Sequence, residues 1–446
     1  MLVHDEYRKK LRTHAEAVKV VKSGDRVHLG TIAGGCIDLE AALAERANEL
    51  ENVTLYSLLW SAKTGYRTVE SDPNMEHFRL HAVHLTQKDR RLSKAGIAWH
   101  VPTLFHEAPK NWQQQNKLDV AFVMAAPMDN NGNFNLGATV ADTLGIVKSA
   151  DIVIVEVNDK MPVSFGVDNT INIKDVDYIV ESSYLLPELI AGEASEEDKM
   201  IAQHLLGEIN SGSCLQLGIG SMPNQLGRLI AQSDITDLSI HSEMLCDCIV
   251  DLYEAGKISS SKKRDNGKIV FTFALGSQRL YDFLDNNPEC MIAPVDYIND
   301  IGVIASIPNF VSINSCLQVD IYGQVNAETL GFQTISGGGG QLGFVLGAYS
   351  SQNGKSFICT ASTKKFPDGR KESLIVPYMP PGTCITCPRA AVHNIVTEYG
   401  IANIKGKSLW EKTEAIINIA HPDFREELIR DAEKQGIWKR SSKVLV

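Results

Sequence analysis

Ser211-Gly212-Ser213-Cys214-Leu215-Gln216-Leu217-Gly218, followed by Leu238-Ser239-Ile240-His241-Ser242-Glu243, decides the reading of this chain, because the same plan stands near the amino end. There it runs Ser23-Gly24-Asp25-Arg26-Val27-His28-Leu29-Gly30 and then Val53-Thr54-Leu55-Tyr56-Ser57-Leu58. Each copy predicts a Ser-Gly turn, an alternating strand ending in Leu-Gly, a loop of small residues, a helix and another strand. A helical spacing precedes each copy: Tyr7, Leu11, His14, Val18 and Val21 before the first, and Ile201, Leu205 and Ile209 before the second. Ser195 is placed to cap the second of these helices, with Asp198 in its first turn. The copies differ where they end. Only the second closes on a carboxylate, Glu243, at the carboxyl end of its strand, where open α/β sheets gather their ligands.

Leu118 to Met124 and Asp151 to Glu156 are near-continuous apolar runs, as expected of strands covered by helices on both faces. The predicted fold is α/β: two similar open α/β domains with largely parallel sheets, related by internal duplication. The boundary falls near Pro187 to Ser195, giving an amino-terminal domain over 1–190 and a carboxy-terminal domain over 191–446 that carries Glu243. A chain of 446 residues has room for two such cores. Its hydrophobic fraction of 44% and charged fraction of 22% are those of an ordinary globular protein. A net charge of -11 argues against a nucleic-acid partner, which calls for a basic face. No signal-like start and no apolar run of the ~18 residues a membrane span needs is visible, so no membrane partner is expected. The nine scattered cysteines read as reduced thiols of a cytoplasmic protein.

Gly218-Ile219-Gly220-Ser221-Met222-Pro223-Asn224 directly follows the strand of the second copy. Glycines there let backbone N–H groups face a ligand, and the next helix offers its positive end to an anion. The same residues also suit a plain strand-to-helix turn. The third glycine and downstream acid of a dinucleotide fingerprint are missing, which argues against a nicotinamide cofactor. Ser336-Gly337-Gly338-Gly339-Gly340-Gln341 is costly in conformational entropy. Its apolar flanks, Phe332 to Ile335 and Leu342 to Leu346, predict a loop held inside a site. Cys384 and Cys387 have the spacing of half a zinc site, but no second pair stands nearby and no metal is expected. Lys355, Lys364, Lys365 and Arg370 form a basic stretch that reads either as a solvated face or as a phosphate contact.

Taken together, the chain resembles family I CoA-transferases, in the acetyl-CoA hydrolase/transferase branch, over nearly its whole length. The likeness is carried by Pro127-Met128-Asp129-Asn130-Asn131-Gly132 with Gly137, by Glu156-Val157-Asn158-Asp159-Lys160-Met161-Pro162, and by Leu217-Gly218-Ile219-Gly220 with Pro223-Asn224. It continues through His241-Ser242-Glu243-Met244, Ser312-Ile313-Asn314-Ser315 with Gln318-Val319-Asp320, and Gly339-Gly340-Gln341. Val396-Thr397-Glu398-Tyr399-Gly400 and His421-Pro422-Asp423-Phe424-Arg425 complete it. Two positions depart from the family pattern: Gly343, where Asp is usual, and Gly338, where Thr is common.

The resemblance implies that Glu243 is a nucleophile moving CoA between short-chain acids, of the butyrate or 4-hydroxybutyrate and acetate type, through a glutamyl-CoA thioester. It implies acyl-CoA and carboxylates as partners, CoA as a substrate moiety with no other cofactor, no metal, and a homodimer. Residues 218–224, Gln318, Gly338, Gly339, Gly340 and Gln341 are implied in binding, and Lys364 or Lys365 is expected to meet the nucleotide phosphates. A carboxylate suits the role, because at its ordinary pKa of about 4.3 it is ionised at neutral pH and needs no general base. Backbone N–H groups of 220–222 and 338–340 are the expected oxyanion donors. By pseudo-symmetry, Ala33, Gly34, Gly35 and Cys36 are expected to line the pocket for a short carboxylate. Two alternatives remain: a hydrolase in which water resolves the thioester, and a non-catalytic CoA-ester-binding protein.

Overall fold

The apolar runs form neighbouring strands at the centre of the first of two largely parallel sheets, and the turns of the duplicated plan repeat in detail between the sheets. The structure, a computed structural model, describes residues 3–60, 65–259 and 264–440. The chain forms two compact units. The first comprises Met1–Ile190, Glu243–Asp247 and Lys268–Ile298; the second comprises Ala191–Ser242, Cys248–Gly267 and Asn299–Val446.

In the first unit the strands are β1 (Arg26–Thr31), β2 (Val53–Leu58), β3 (Phe78–Ala82), β4 (Ala98–His100), β5 (Leu118–Ala125), β6 (Ala150–Asn158) and β7 (Tyr178–Ser182). They lie in the order β7-β6-β5-β1-β2-β3-β4. All these neighbours are parallel. After β1 the chain turns back briefly at Gly34–Gly35 and enters helix α1 (Ile37–Ala44).

The second unit opens with helix α2 (Glu196–Leu206), where Ser195 and Asp198 form a reciprocal capping box. Its sheet holds β8 (Cys214–Leu217), β9 (Ser239–Ile240), β10 (Phe310–Ser315), β11 (Lys355–Cys359), β12 (Asn394–Thr397) and β13 (Gly400–Asn403). The order is β9-β8-β10-β11-β12-β13, parallel except at the β12–β13 edge. Helix α3 (Ser221–Gln232) joins β8 to β9, and helix α4 (Gln341–Ser350) precedes β11. Val345, Ile358, Ile395 and Ile416 centre its core.

The path β2-β1-β5-β6-β7 of the first unit thus has the same order and direction as β9-β8-β10-β11-β12 of the second. The turns agree atom by atom. Gly24 and Gly212 take φ of +86° and +83°, where an L side chain would be strained. The Gly24 N–H donates to the Glu51 carbonyl, and the Gly212 N–H to that of Thr236. The Ser23 hydroxyl accepts from the Glu51 N–H at 2.9 Å, as the Ser211 hydroxyl does from Thr236 at 3.0 Å. Even the strained non-glycine residues correspond: Asn52 at φ +56° and Asp237 at +58° each precede the second strand of their copy.

Two local expectations fail. The helical spacing from Tyr7 to Val21 is split into Val3–Lys10 and His14–Ala17. Thr13 caps the second piece, and the Arg12 N–H donates to the Ile179 carbonyl, which pulls the chain towards β7. Before the glycine run, Phe332 is 85% exposed, so that flank is not apolar packing.

Candidate functional site

In both sheets the chain first builds out on one side of the first strand, with β2 to β4 in the first unit and β9 in the second, and then crosses to the other side. A parallel sheet is open for ligands where its order reverses in this way. In the second unit that point lies between β8 and β10, which run side by side with Cys214 opposite Phe310 and Leu217 opposite Ile313. Gln216 and Asn314 exchange side-chain amide hydrogen bonds across this pair, at 3.0 and 3.4 Å.

The residues 218–224 leave the carboxyl end of β8. Gly220 takes φ +138° and ψ 179°, a region essentially closed to other residues, as it turns into α3. The first amides of that helix, Ser221 and Met222, have no helical carbonyl behind them, and Pro223 has no N–H at all. Among the described residues no side chain caps this end. Two backbone donors therefore point out of the positive end of the helix. Gly218, Ile219, Gly220, Ser221 and Asn224 are half-buried, while Met222 and Pro223 are buried and seat the turn. The Ser221 hydroxyl donates to Asp198 Oδ2 at 2.7 Å, tying α3 to the capping box of α2.

The second glycine loop reaches the end of the adjacent strand. The Gln341 side chain donates from Nε2 to the Ser315 carbonyl at the end of β10, 2.8 Å away. Gly339 takes φ +52°, and Gly340 leads into α4. Glu328 organises this loop from behind: its carbonyl accepts from Ile335 and Ser336, and its carboxylate accepts from Thr386 Oγ1 at 2.8 Å. A side chain at Gly338 would point at that carboxylate, with 3.5 Å between Cβ and Oε1. Gln318 stands half-buried just after β10, and its side-chain oxygen faces Asn326 Nδ2 at 3.5 Å.

Thus the structure brings residues 218–224 and 338–341 to the carboxyl ends of neighbouring strands. Among the described residues, Lys364 is not joined to them by any contact; it is exposed on a hairpin, its Nζ 4.9 Å from the Phe366 ring centroid. Lys365 pairs with Glu197 at 2.5 Å.

The chain then carries Glu243 out of the second sheet. The His241 N–H donates to the Leu215 carbonyl, and the Ser242 hydroxyl donates to the Leu217 carbonyl at 3.2 Å, one residue before Gly218. Glu243 comes directly after. Its own carbonyl accepts from the Thr272 and Phe273 amides at 3.0 and 3.3 Å, and Met244–Leu245 pairs with Phe273–Ala274. The glutamate backbone is therefore fixed on both sides, and its side chain remains half-exposed.

The equivalent loop of the first copy is closed. Ala33, Gly34, Gly35 and Cys36 are all buried, and a Cβ on Gly35 would lie 2.9 Å from the Trp60 ring. Glu156, fully buried at the end of β6, accepts from the Leu39 N–H at 2.9 Å and from the Tyr184 hydroxyl. Tyr184 in turn accepts from the Ile37 N–H. Burial pushes the Glu156 carboxyl up to about 8.

Glu328 and Tyr184 are partners that motif reading missed, and Asp198, expected only in the first turn of α2, also accepts from Ser221, because each reaches residues outside its own motif. Glu156 did carry a signal, since an acid ending a buried apolar run needs an unusual partner. All nine cysteines are free, Cys384 and Cys387 included. Among the described residues, no group of three or more His, Cys, Asp or Glu side chains is placed to hold a metal. No helix among them is long and apolar enough to cross a membrane.

Residues 1–188 match the family described as the acetyl-CoA hydrolase/transferase N-terminal domain, and residues 276–432 match its C-terminal domain. Butyryl-CoA:acetate CoA-transferase of Anaerostipes caccae is 45% identical over 99% of this chain and 100% of its own. 4-Hydroxybutyrate coenzyme A transferase of Clostridium kluyveri is 37% identical over 96% of this chain and 98% of its own. Among solved structures, RipA from Yersinia pestis superposes with a TM-score of 0.88 at 35% identity, covering 98% of this chain and 100% of that one.

Proposed function

The chain belongs to the acetyl-CoA hydrolase/transferase family, and from that premise we propose that Glu243 is the nucleophile through which it moves CoA. The chain is an acyl-CoA:carboxylate CoA-transferase. The observation that carries the role of Glu243 is the Ser242–Leu217 hydrogen bond, which turns the chain at the mouth of the Gly218 loop immediately before the glutamate.

In this reading the Glu243 carboxylate attacks the thioester carbonyl of acyl-CoA. The oxyanion collapses, the C–S bond breaks, and CoA thiolate leaves behind an acyl-glutamyl anhydride. The thiolate then attacks the glutamyl carbonyl, expelling the donor acid as carboxylate and forming a glutamyl-CoA thioester. An acceptor carboxylate runs the two steps in reverse and regenerates free Glu243. One thioester replaces another, so no external energy source is consumed. The N–H groups of 220–222 and 338–340 stabilise the successive oxyanions, each such donor being worth about 3 kcal/mol. Gln318 and Gln341 hold the loops, and Lys364 meets the nucleotide phosphates. CoA binding far from the reacting carbon positions a weak nucleophile against a thioester.

We read the acids as short, of the butyrate or 4-hydroxybutyrate and acetate type, and the enzyme as a cytoplasmic homodimer. We read the duplicated halves as dividing at 190/191 in the sequence, and Glu243, which ends the second copy of the plan, belongs to the first compact unit in space. Intact-mass analysis after adding acyl-CoA alone tests the scheme. A CoA-sized increment on the wild type that is absent from Glu243→Ala supports it; an increment on both refutes it. Adding acetate separates transfer from hydrolysis, because transfer yields a new acyl-CoA whereas water yields free CoA.

A further inference from the structure

We propose that a hollow at the amino edge of the first unit is a second binding site, which takes a purine ring joined to phosphate, as in an adenine nucleotide. Strand register places two rows of side chains on one face of the sheet. Arg26, Thr54 and Arg79 are partners across β1, β2 and β3, and His28, Tyr56 and His81 are partners one pleat further on, continued by Trp99 of β4. Alternate residues of a strand share a face, so a row containing two cations runs beside a row of rings. The rings meet edge to face, with centroids 5.2 Å apart for Tyr56–His81 and 6.2 Å for His81–Trp99. Exposure grows along the row, from 0% at His28 and 5% at Tyr56 to 42% at Trp99. At the outer end Asn74, Met75, Arg79, His81 and Trp99 line an open hollow of about 490 Å³, the size of a small-ligand site.

Charge singles out this place. The chain has 54 acidic residues against 43 lysines and arginines, yet among the described residues neither guanidinium here pairs with a carboxylate. Arg79 Nη2 donates to Asn52 Oδ1, and Arg26 Nη2 donates to the Tyr56 hydroxyl and Asn116 Oδ1. Burial, together with these two cations, holds His81 below its ordinary pKa. The wall of the hollow is preset: the Asp72 carboxylate accepts from the Glu76, His77 and Phe78 amides, and Met75 is held at φ +54°. An exposed indole suits stacking by a base, and a planar guanidinium suits phosphate. Asn74 and Met75 precede β3, so the hollow opens at the amino ends of the strands, whereas the Gly34–Gly35 loop follows a carboxyl end.

Calorimetric titration of the full chain with ADP tests the site, with adenosine, inorganic phosphate and CoA as further arms. The expected result is saturable ADP binding that Trp99→Ala and Arg79→Ala each weaken about tenfold or more. Trp99→Phe keeps most of the affinity, and the CoA-transfer rate is unchanged in all three variants. Adenosine and phosphate each bind more weakly than ADP, and the His81 ring titrates at higher pH when ADP is present. ADP binding that is sensitive to Trp99→Ala and persists under saturating CoA assigns the site to a free nucleotide; if CoA displaces it, the occupant is the nucleotide end of CoA. No saturable binding up to several millimolar, or binding indifferent to both substitutions, overturns the proposal.

Discussion

The two strand-to-helix loops of the duplicated plan have equivalent positions and opposite characters. The loop after β1 folds back on its own strand, buries Ala33 to Cys36, and is pinned from beneath by Glu156 and Tyr184. The loop after β8 stays half-exposed, turns through Gly220 and presents two helix amides with no carbonyl to meet. One duplicated frame is thus closed in one copy and left open in the other. The carboxyl end of the second strand differs in the same sense, being Leu58 in the first copy and His241-Ser242-Glu243 in the second.

That contrast can be tested at four points. Loss of the Glu243 side chain in Glu243→Ala should lower kcat for CoA transfer by roughly 10⁴-fold or more, with no change in the thermal midpoint. If the variant exchanged CoA at the normal rate, the second copy would not be the chemical half.

The next effect falls on stability, in the first copy. Glu156→Ala leaves the Leu39 amide and the Tyr184 hydroxyl buried without their acceptor and should cost about 2–4 kcal/mol in urea unfolding. The pH dependence comes from linkage. The Glu156 carboxyl is raised to about 8 in the folded chain, so between about 4.5 and 8 the folded state holds a proton that the unfolded state has lost. Its contribution is therefore complete below pH 4.5 and declines as pH rises towards 8. Wild type should lose stability across that window relative to Glu156→Gln, which has no proton to release; parallel pH profiles would contradict this assignment.

Paired glycine substitutions separate the two loops. Gly220→Ala meets strain of about 1–3 kcal/mol at φ +138° and should raise the KM for acyl-CoA. Gly35→Ala drives a methyl group to 2.9 Å from Trp60 and should appear mainly as a lower thermal midpoint. The smallest effect is at the phosphate end. Lys364→Ala should raise the KM for acyl-CoA about two- to fivefold, less so in high salt, because an exposed cation contributes little.

Much of this frame was readable from residue order. The Ser-Gly turns, the alternating runs and the Ser195–Asp198 cap all rely on neighbours close in sequence, and they appear where the pattern puts them. The break at Arg12–Thr13 was not readable, since it depends on Ile179, far along the chain. Exposed Phe332 misled for a related reason, because hydropathy does not say which face of a loop meets a partner.

The site divides along the same line. Repetition of one local plan, with a single acid added to the second copy, singled out Glu243 and the 218–224 loop as candidates, and the run of four glycines singled out the second loop. Only the folded chain puts β8 beside β10, so that Gln341 reaches Ser315 and both loops open at adjacent strand ends. Only the folded chain distinguishes a glycine loop sealed by Glu156 from one left open at Gly220. The physical reason is range. Turn and strand preferences act over a few residues, whereas burial, and the hydrogen bonds a buried acid must find, depend on contacts between residues 26 to 117 positions apart.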